Sequence, residues 1–214
     1  MERKHKPATI PISPSFPQPS IDVSGLTVTA TLPTHDTVTV HLLGATVISW
    51  STASSPDNKK EHLFLSTAAK LDGSKAIRGG IPVVFPAFGP PPKDHATGKL
   101  PQHGFARSVT WEFLGKSTSE SVSKDKKSGD DEVKLDFGLS SSMLPEELQA
   151  KWPYEFGLVY SVTLGKGFLE TGLQVQNQGS ESFEFQALFH NYFKIGVRYL
   201  SLSPLHFSNL AILN

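Results

Sequence analysis

The chain has 214 residues, an apolar fraction of 38% and equal numbers of basic and acidic side chains, 20 of each. This length and composition favour one sizeable globular domain over a disordered chain. The net charge of zero argues against a broad basic surface for nucleic acid, and the absence of cysteine excludes disulfides, thiolate metal sites and a thiol nucleophile.

Residues 1–20 are rich in proline and serine and show no hydrophobic periodicity. Because proline fixes φ and removes a backbone donor, this segment is predicted to be a flexible lead-in. It contains no apolar run long enough for a signal peptide, and no later stretch approaches the roughly 20 apolar residues that span a bilayer. We therefore expect a soluble, cytoplasmic protein without a membrane partner.

From Ile21 onward, β-branched and polar residues alternate with the period of two that is typical of strands. One predicted strand divides its side chains between two faces, with Val38, Val40 and Leu42 on one and Thr37, Thr39 and His41 on the other. Farther on, the charged run "GKSTSESVSKDKKSGDDE" separates Leu114 from "VKLDFGL". This pattern predicts a hairpin with a long solvated loop, and a docking patch is the alternative interpretation of the charges.

A single helix is predicted over "SSMLPEELQAKW", with Pro145 in its first turn and two glutamates at its positive end. Three more strands are predicted in "FGLVYSVTL", "GFLETGLQVQNQ" and "SFEFQALFHNYFKI", separated by glycine and asparagine. Many short strands with one short helix indicate a mainly antiparallel β fold.

Three stretches carry side chains suited to chemistry. In "AIRGGIPVVFPAFG", Arg78 offers a planar fork of donors for phosphate or carboxylate, and Gly79-Gly80 lets the backbone turn tightly or approach a ligand. In "LPQHGFARSVTW", His103 is a candidate proton carrier, Gln102 can hold hydroxyl groups, and Arg107 adds a second guanidinium. A surface arginine beside a turn and a core histidine bonded to the backbone remain the structural alternatives.

The third stretch, "ALFHNYF", is predicted to place His190 on one strand face with Leu188 and Tyr192. A histidine among aromatic residues suits a general acid, and a buried structural histidine is the alternative. The chain has no Walker loop, dinucleotide fingerprint, G-x-S-x-G elbow or H-E-x-x-H pair. The remaining inventory of histidine, arginine, amide and carboxylate fits proton transfer on a small anionic polyol, with no support for a metal.

These stretches, in this order and together with "GATVISW" and "WPYEFGLVYSVTL", resemble the glucose-6-phosphate 1-epimerases, or hexose-6-phosphate mutarotases, of the aldose 1-epimerase superfamily. The resemblance implies an antiparallel β-sandwich of the galactose-mutarotase type over residues 21–195. It also implies interconversion of the α and β anomers of a hexose 6-phosphate by acid–base ring opening. His190 would be the general acid and His103 would assist beside the ring oxygen or a hydroxyl; Arg78 and Arg107 would bind phosphate, and Gln102 would hold hydroxyls. No cofactor is implied, and we expect a monomer.

The family's general base is a glutamate far toward the C-terminus, and no residue here matches it. Residues 196–214 do not resemble the corresponding family segment. The sequence is therefore interpreted as a C-terminally truncated or mis-spliced form, with an incomplete sandwich, reduced stability and impaired anomer interconversion. Two functional alternatives remain: an aldose 1-epimerase for unphosphorylated sugars, and a sugar-phosphate binding module without turnover. A structural interaction domain is disfavoured by the paired arginines.

Overall fold

The computed structural model describes residues 17–117 and 132–195. The predicted tail 196–214, most of the predicted lead-in and the middle of the charged run lie outside the described residues. The elements follow in chain order: β1 Ser20–Ser24, β2 Thr27–Thr31, β3 Thr37–His41, β4 Thr46–Ser55, β5 Asn58–Glu61, β6 Val83–Val84, β7 Glu112–Ser117, β8 Glu132–Ser140, α1 Glu146–Lys151, β9 Phe156–Gly165, β10 Phe168–Asn177 and β11 Leu188–Phe189.

The first five strands form an antiparallel sheet in the order β1-β2-β3-β4-β5. The predicted alternation is confirmed at Val38 and Val40, which are fully buried. It is wrong at the strand end, where His41 is buried and Leu42 is only half-buried. The reason is that β3 ends at His41. The chain then turns, and the Leu43 N–H donates to His41 Nδ1 at 3.0 Å, which holds the imidazole inward.

The second sheet has four antiparallel strands in the order β10-β9-β8-β7. Its β7–β8 pair confirms the predicted hairpin. Along β8 and β9, buried and half-buried side chains alternate almost without interruption, as the sequence pattern predicts. Each strand thus presents one apolar face to the core and packs beside a neighbour that is near in sequence.

The helix is shorter than predicted, because α1 covers only six residues. Leu144 is extended, with ψ 146°, as is common for a residue whose α conformation would clash with a following proline. Pro145 accordingly caps the helix instead of lying in its first turn, with ψ 143°. A separate 3-10 turn, Ser141–Met143, takes up the serines that precede it.

The last predicted strand is also much shorter than "SFEFQALFHNYFKI", since only Leu188–Phe189 is a regular strand. It pairs antiparallel with β6. The segment opposite contains Pro82 and Pro86, which have no N–H to donate, so the ladder is interrupted at both ends. Single backbone bonds continue the pairing there: the His190 N–H donates to Pro82 O at 3.0 Å and the Gln186 N–H to Pro86 O at 2.9 Å.

Buried apolar side chains from both large sheets join in one hydrophobic cluster, which makes the fold an antiparallel β-sandwich. Phe85 lies at an aromatic junction in this core, with its ring centroid 5.4–5.9 Å from those of Phe105, Trp152, Phe156 and Phe185. Through these contacts, the segment that contains "GGIPVVFP" is fixed against β9 and the helix region. Among the described residues, no helix is long and apolar enough to cross a membrane.

Candidate active site

Four segments that are distant in sequence are hydrogen-bonded side by side in what we call the irregular layer, residues 62–66, 79–89, 103–107 and 186–194. The Gly80 N–H donates to Phe64 O at 2.8 Å, and the Tyr192 N–H donates to Gly80 O at 2.9 Å. The Phe105 N–H donates to Phe85 O at 3.0 Å. The irregular layer therefore brings the three candidate stretches of the sequence together.

Glycine is required in this layer because backbones approach one another closely. Gly80 has φ +67°, and a Cβ there would lie 2.1 Å from Val47 O. Gly104 has φ +68°, and a Cβ there would lie 2.1 Å from Phe85 O. The sequence predicted that Gly79-Gly80 serves either a tight turn or close approach to a ligand. In the structure, the pair permits close contact with the protein's own backbone.

The two candidate histidines are neighbours in space. The ring centroids of His103 and His190 lie 5.9 Å apart, with the rings almost perpendicular at 79°. Tyr192 stacks on His190 at 4.8 Å, and Phe88 packs beside His103 at 5.3 Å. Because Phe88 is 52% exposed, this histidine pair and its aromatic neighbours lie at the surface and within reach of a ligand.

His103 is held in an uncommon backbone conformation, with φ +68°. The Gly89 N–H donates to its Nδ1 at 3.1 Å. Burial lowers the pKa of His103, and the nearby Arg107 and His190 lower it further. The lowered pKa favours the neutral imidazole at pH 7, and because Nδ1 accepts from Gly89, the Nε2–H, which has no partner among the described residues, can donate a hydrogen bond.

Arg107 lies in a short 3-10 helix, Ala106–Ser108, and its charge acts on His103. One terminal nitrogen donates to the Gln102 backbone carbonyl at 3.0 Å, while Nε is buried and has no partner among the described residues. Burial lowers the pKa of this guanidinium, and the influence of Tyr192 opposes that shift. An arginine nevertheless stays charged at neutral pH, so this side of the site carries a fixed positive charge.

Gln102 and Arg78 are less closely integrated. The Gln102 side chain is exposed, and its backbone oxygen makes the contact to Arg107. Arg78 is also exposed and is fixed through its backbone carbonyl, which accepts from the Ser66 N–H at 3.0 Å. In the described part of the chain, Arg107 and His190 act on the pKa of His103 and Arg78 does not, so the structure groups the first three residues and leaves Arg78 outside.

Sequence reasoning did not single out Phe88, Tyr192 or Gln186 as site residues. Tyr192 had a usable signal, because it shares a strand face with His190. Phe88 had a weaker one, an aromatic residue between alanine and glycine in a proline-rich loop. Gln186 had none: its Oε1 accepts from the Phe88 N–H at 2.9 Å, a contact between residues almost one hundred positions apart.

A cavity of about 490 Å³ lies elsewhere, near α1, and is lined by residues that include Ser141, Gln149, Trp152 and Glu155. It includes neither histidine nor either arginine of the candidate site. Among the described residues, no group of three or more histidine, aspartate and glutamate side chains is arranged to hold a metal ion.

The comparisons with known proteins agree with this architecture. A protein of Escherichia coli K12 named "Putative glucose-6-phosphate 1-epimerase" is 34% identical over 155 residues, which are 72% of this chain and 44% of that protein. The crystal structure titled as a putative mutarotase of Salmonella typhimurium superposes with a TM-score of 0.54 at 27% identity and covers 77% of this chain and 49% of that one. The Slr1438 protein of Synechocystis superposes with a TM-score of 0.56 at 28% identity, covering 86% and 57%.

The chain spans about half the length of the relatives that it matches. Residues 27–207 match the family model of the aldose 1-epimerases. That range extends past residue 195, the boundary predicted from the motifs, and the division of the chain at residues 20 and 195 stays a prediction. Since this match covers most of the sequence, the chain belongs to the aldose 1-epimerase family.

Proposed function

We propose that the surface formed by His103, His190 and Arg107 binds a hexose 6-phosphate and interconverts its α and β anomers. The observation that carries this proposal is the pairing of two imidazoles, 5.9 Å apart between centroids, with a guanidinium whose charge acts on one of them, His103. Two proton carriers beside one fixed positive charge suit a reaction that moves protons on a small anionic sugar. The family membership and the printed names of the relatives support the same reaction class.

In this proposal, His190 donates a proton to the ring oxygen as the bond between that oxygen and the anomeric carbon breaks. A base removes the anomeric hydroxyl proton, and the electron pair of that O–H bond becomes part of the new aldehyde carbonyl. Rotation about the C1–C2 bond exposes the other carbonyl face, and the reverse steps close the ring. His103 assists at the ring oxygen or at a hydroxyl, and none of the described residues is assigned as the base.

Arg107 is proposed as the main phosphate contact, because its guanidinium is close enough to His103 to act on it electrostatically and is already partly desolvated. A charged pair gains strength where water is excluded. Arg78 is proposed as a second, outer phosphate contact and Gln102 as a hydroxyl contact. Both are exposed, so their contribution depends on the substrate drawing them in.

Anomer exchange measured by NMR magnetisation transfer on the full chain tests the proposal, with glucose 6-phosphate and glucose as parallel substrates. Because no base is assigned, we propose that wild-type exchange is impaired, and we expect His190→Asn to lower it further, at the low end of the roughly 10²- to 10⁴-fold range for loss of a general acid–base group. We expect Arg107→Ala to raise KM for glucose 6-phosphate roughly 10-fold or more, with little change for glucose. His35→Asn is the matched control, since His35 is exposed and asparagine tolerates its positive φ of 69°.

The outcomes separate the alternatives. Equal exchange of glucose and glucose 6-phosphate would favour an aldose 1-epimerase for unphosphorylated sugars. Tight binding of glucose 6-phosphate without exchange, weakened by Arg107→Ala, would favour a binding module. If the wild-type chain neither binds glucose 6-phosphate nor accelerates its anomer exchange, the proposed function is wrong.

A further inference from the structure

Gln186 spans the turn that approaches His103. Its own N–H donates to Pro86 O at 2.9 Å, and its Oε1 accepts from the Phe88 N–H at 2.9 Å. One residue therefore fixes both ends of the short segment 86–88. The next peptide, that of Gly89, follows directly from the segment that Gln186 holds.

Gly89 and His103 form a reciprocal pair. The Gly89 N–H donates to His103 Nδ1 at 3.1 Å, and the His103 N–H donates to Gly89 O at 3.0 Å. A backbone amide can only donate, so Nδ1 must present its lone pair. When His103 is neutral, its proton therefore resides on Nε2, and within the described residues no protein group bonds to that nitrogen.

We propose that Gln186 is a positioning residue that fixes the Nε2–H tautomer of His103 by aligning the Phe88–Gly89 turn. The proposal rests on the proposed function in one respect: the Nε2–H would be the group that meets the ring oxygen or a hydroxyl of the sugar. It assigns Gln186 a role through His103 and not through contact with substrate.

The surroundings of the turn explain why a side chain is needed there. Pro90, Pro91 and Pro92 follow Gly89 and have no N–H groups, so they cannot anchor the loop by donating backbone bonds. A second tether joins the same two segments farther along, where His95 Nε2 lies 3.3 Å from Glu184 Oε2. Gln186 is the tether nearest to His103, because it acts on the residue that precedes Gly89.

The charges that act on His103 point to a measurable consequence. Arg107 and His190 are the charged or titratable groups that bear on it, both disfavour its protonation, and Phe88 supplies an uncharged face. The Gly89 N–H also lowers the pKa of His103, because a protonated Nδ1–H would face another N–H donor and lose its hydrogen bond. Loosening the turn removes that contribution, so loss of Gln186 should raise the pKa of His103 toward its ordinary value.

The test compares wild type with Gln186→Met, which keeps the length of the side chain but removes the acceptor. Gln186→Glu retains an acceptor oxygen and should keep the Nε2–H tautomer, although its negative charge raises the pKa of His103. Gln176→Met is the matched control at an exposed position of β10, and Glu184→Gln weakens the second tether without altering the first. The primary readout is the ¹⁵N spectrum of the His103 imidazole in the full chain over a pH series, which reports tautomer and pKa without any need for activity.

We expect a single Nε2–H tautomer in wild type, Gln186→Glu, Gln176→Met and Glu184→Gln, and a tautomer mixture with a raised pKa in Gln186→Met. Where exchange is catalysed, Gln186→Met should lower kcat roughly two- to ten-fold with KM little changed. A wild-type His103 with its proton on Nδ1, or a Gln186→Met spectrum identical to wild type, would overturn the inference. Failure of the proposed function would appear separately, as absence of sugar-phosphate binding and exchange in wild type.

Discussion

The four-stranded sheet and the irregular layer are built from similar apolar residues but in different ways. In the sheet, β8 and β9 pair over nine consecutive residue positions. In the irregular layer, β6 and β11 pair over only two, and segments distant in the chain are joined by single backbone hydrogen bonds. The candidate catalytic residues lie in the second region and not in the first.

This difference shows that regular strand pairing restricts the directions in which side chains can point toward a binding site. A long ladder alternates side chains between core and solvent and leaves little choice of direction for each one. Prolines and positive-φ residues break that alternation, so His103 and His190 can turn toward each other. Backbone hydrogen bonds join the segments of the irregular layer, and aromatic rings pack behind it.

The largest expected effect concerns the aromatic packing behind the layer. Phe85→Ala removes a fully buried ring that touches four other aromatic side chains, and we expect a loss of about 3–5 kcal/mol in the free energy of unfolding. Phe113→Ala in the four-stranded sheet removes a half-buried ring that packs on Phe137, with an expected loss of about 1–2 kcal/mol. Urea unfolding measures both, and equal losses would contradict the view that this junction fixes the layer.

A smaller difference in stability, between two glycine substitutions, tests the effect of close backbone approach alone. Gly104 in the layer and Gly167 in the β9–β10 turn have similar φ values, +68° and +78°, but a Cβ would meet backbone at 2.1 Å in the first and nothing within 4 Å in the second. We expect Gly167→Ala to cost about 1–2 kcal/mol from positive φ alone. Gly104→Ala should cost about 1–3 kcal/mol more from overpacking. Thermal unfolding of the pair decides the matter, and a difference near zero would show that the layer yields to the added methyl.

The smallest effect is a dependence of stability on pH. Burial lowers the pKa values of His41, His62 and His103, whereas β7, β8, β9 and β10 contain no histidine. The unfolded chain then binds protons more readily, so stability is fully present above the ordinary histidine pKa of 6.5 and falls as pH decreases through and below that value.

Hydrogen exchange between about pH 7.5 and 5.5, corrected for intrinsic rates, should show this loss first in the first sheet and the irregular layer. His103→Gln should reduce the dependence in the layer. Uniform loss in all strands would mean that the two regions open together instead of separately.

The sequence predicted the fold well where partners are near in the chain. Alternation identified β8, β9 and β10, and it identified the hairpin of β7 and β8. It failed at Leu42, beyond the end of β3, and over 182–195, where the prolines opposite interrupt pairing. The helix was overextended for a related reason, since the residue before Pro145 cannot easily be helical.

For the site, the sequence by itself determined the chemical inventory: two histidines, two arginines, an amide, glycines that permit close approach and no thiol. Residue type and local spacing are enough for that, because the chemistry of a side chain belongs to the residue itself. Only the tertiary structure decided that His103 meets His190, that Arg107 and not Arg78 acts on His103, and that Gln186 bonds to the turn at Phe88. Those relations arise from contacts across long stretches of chain, which no local pattern encodes.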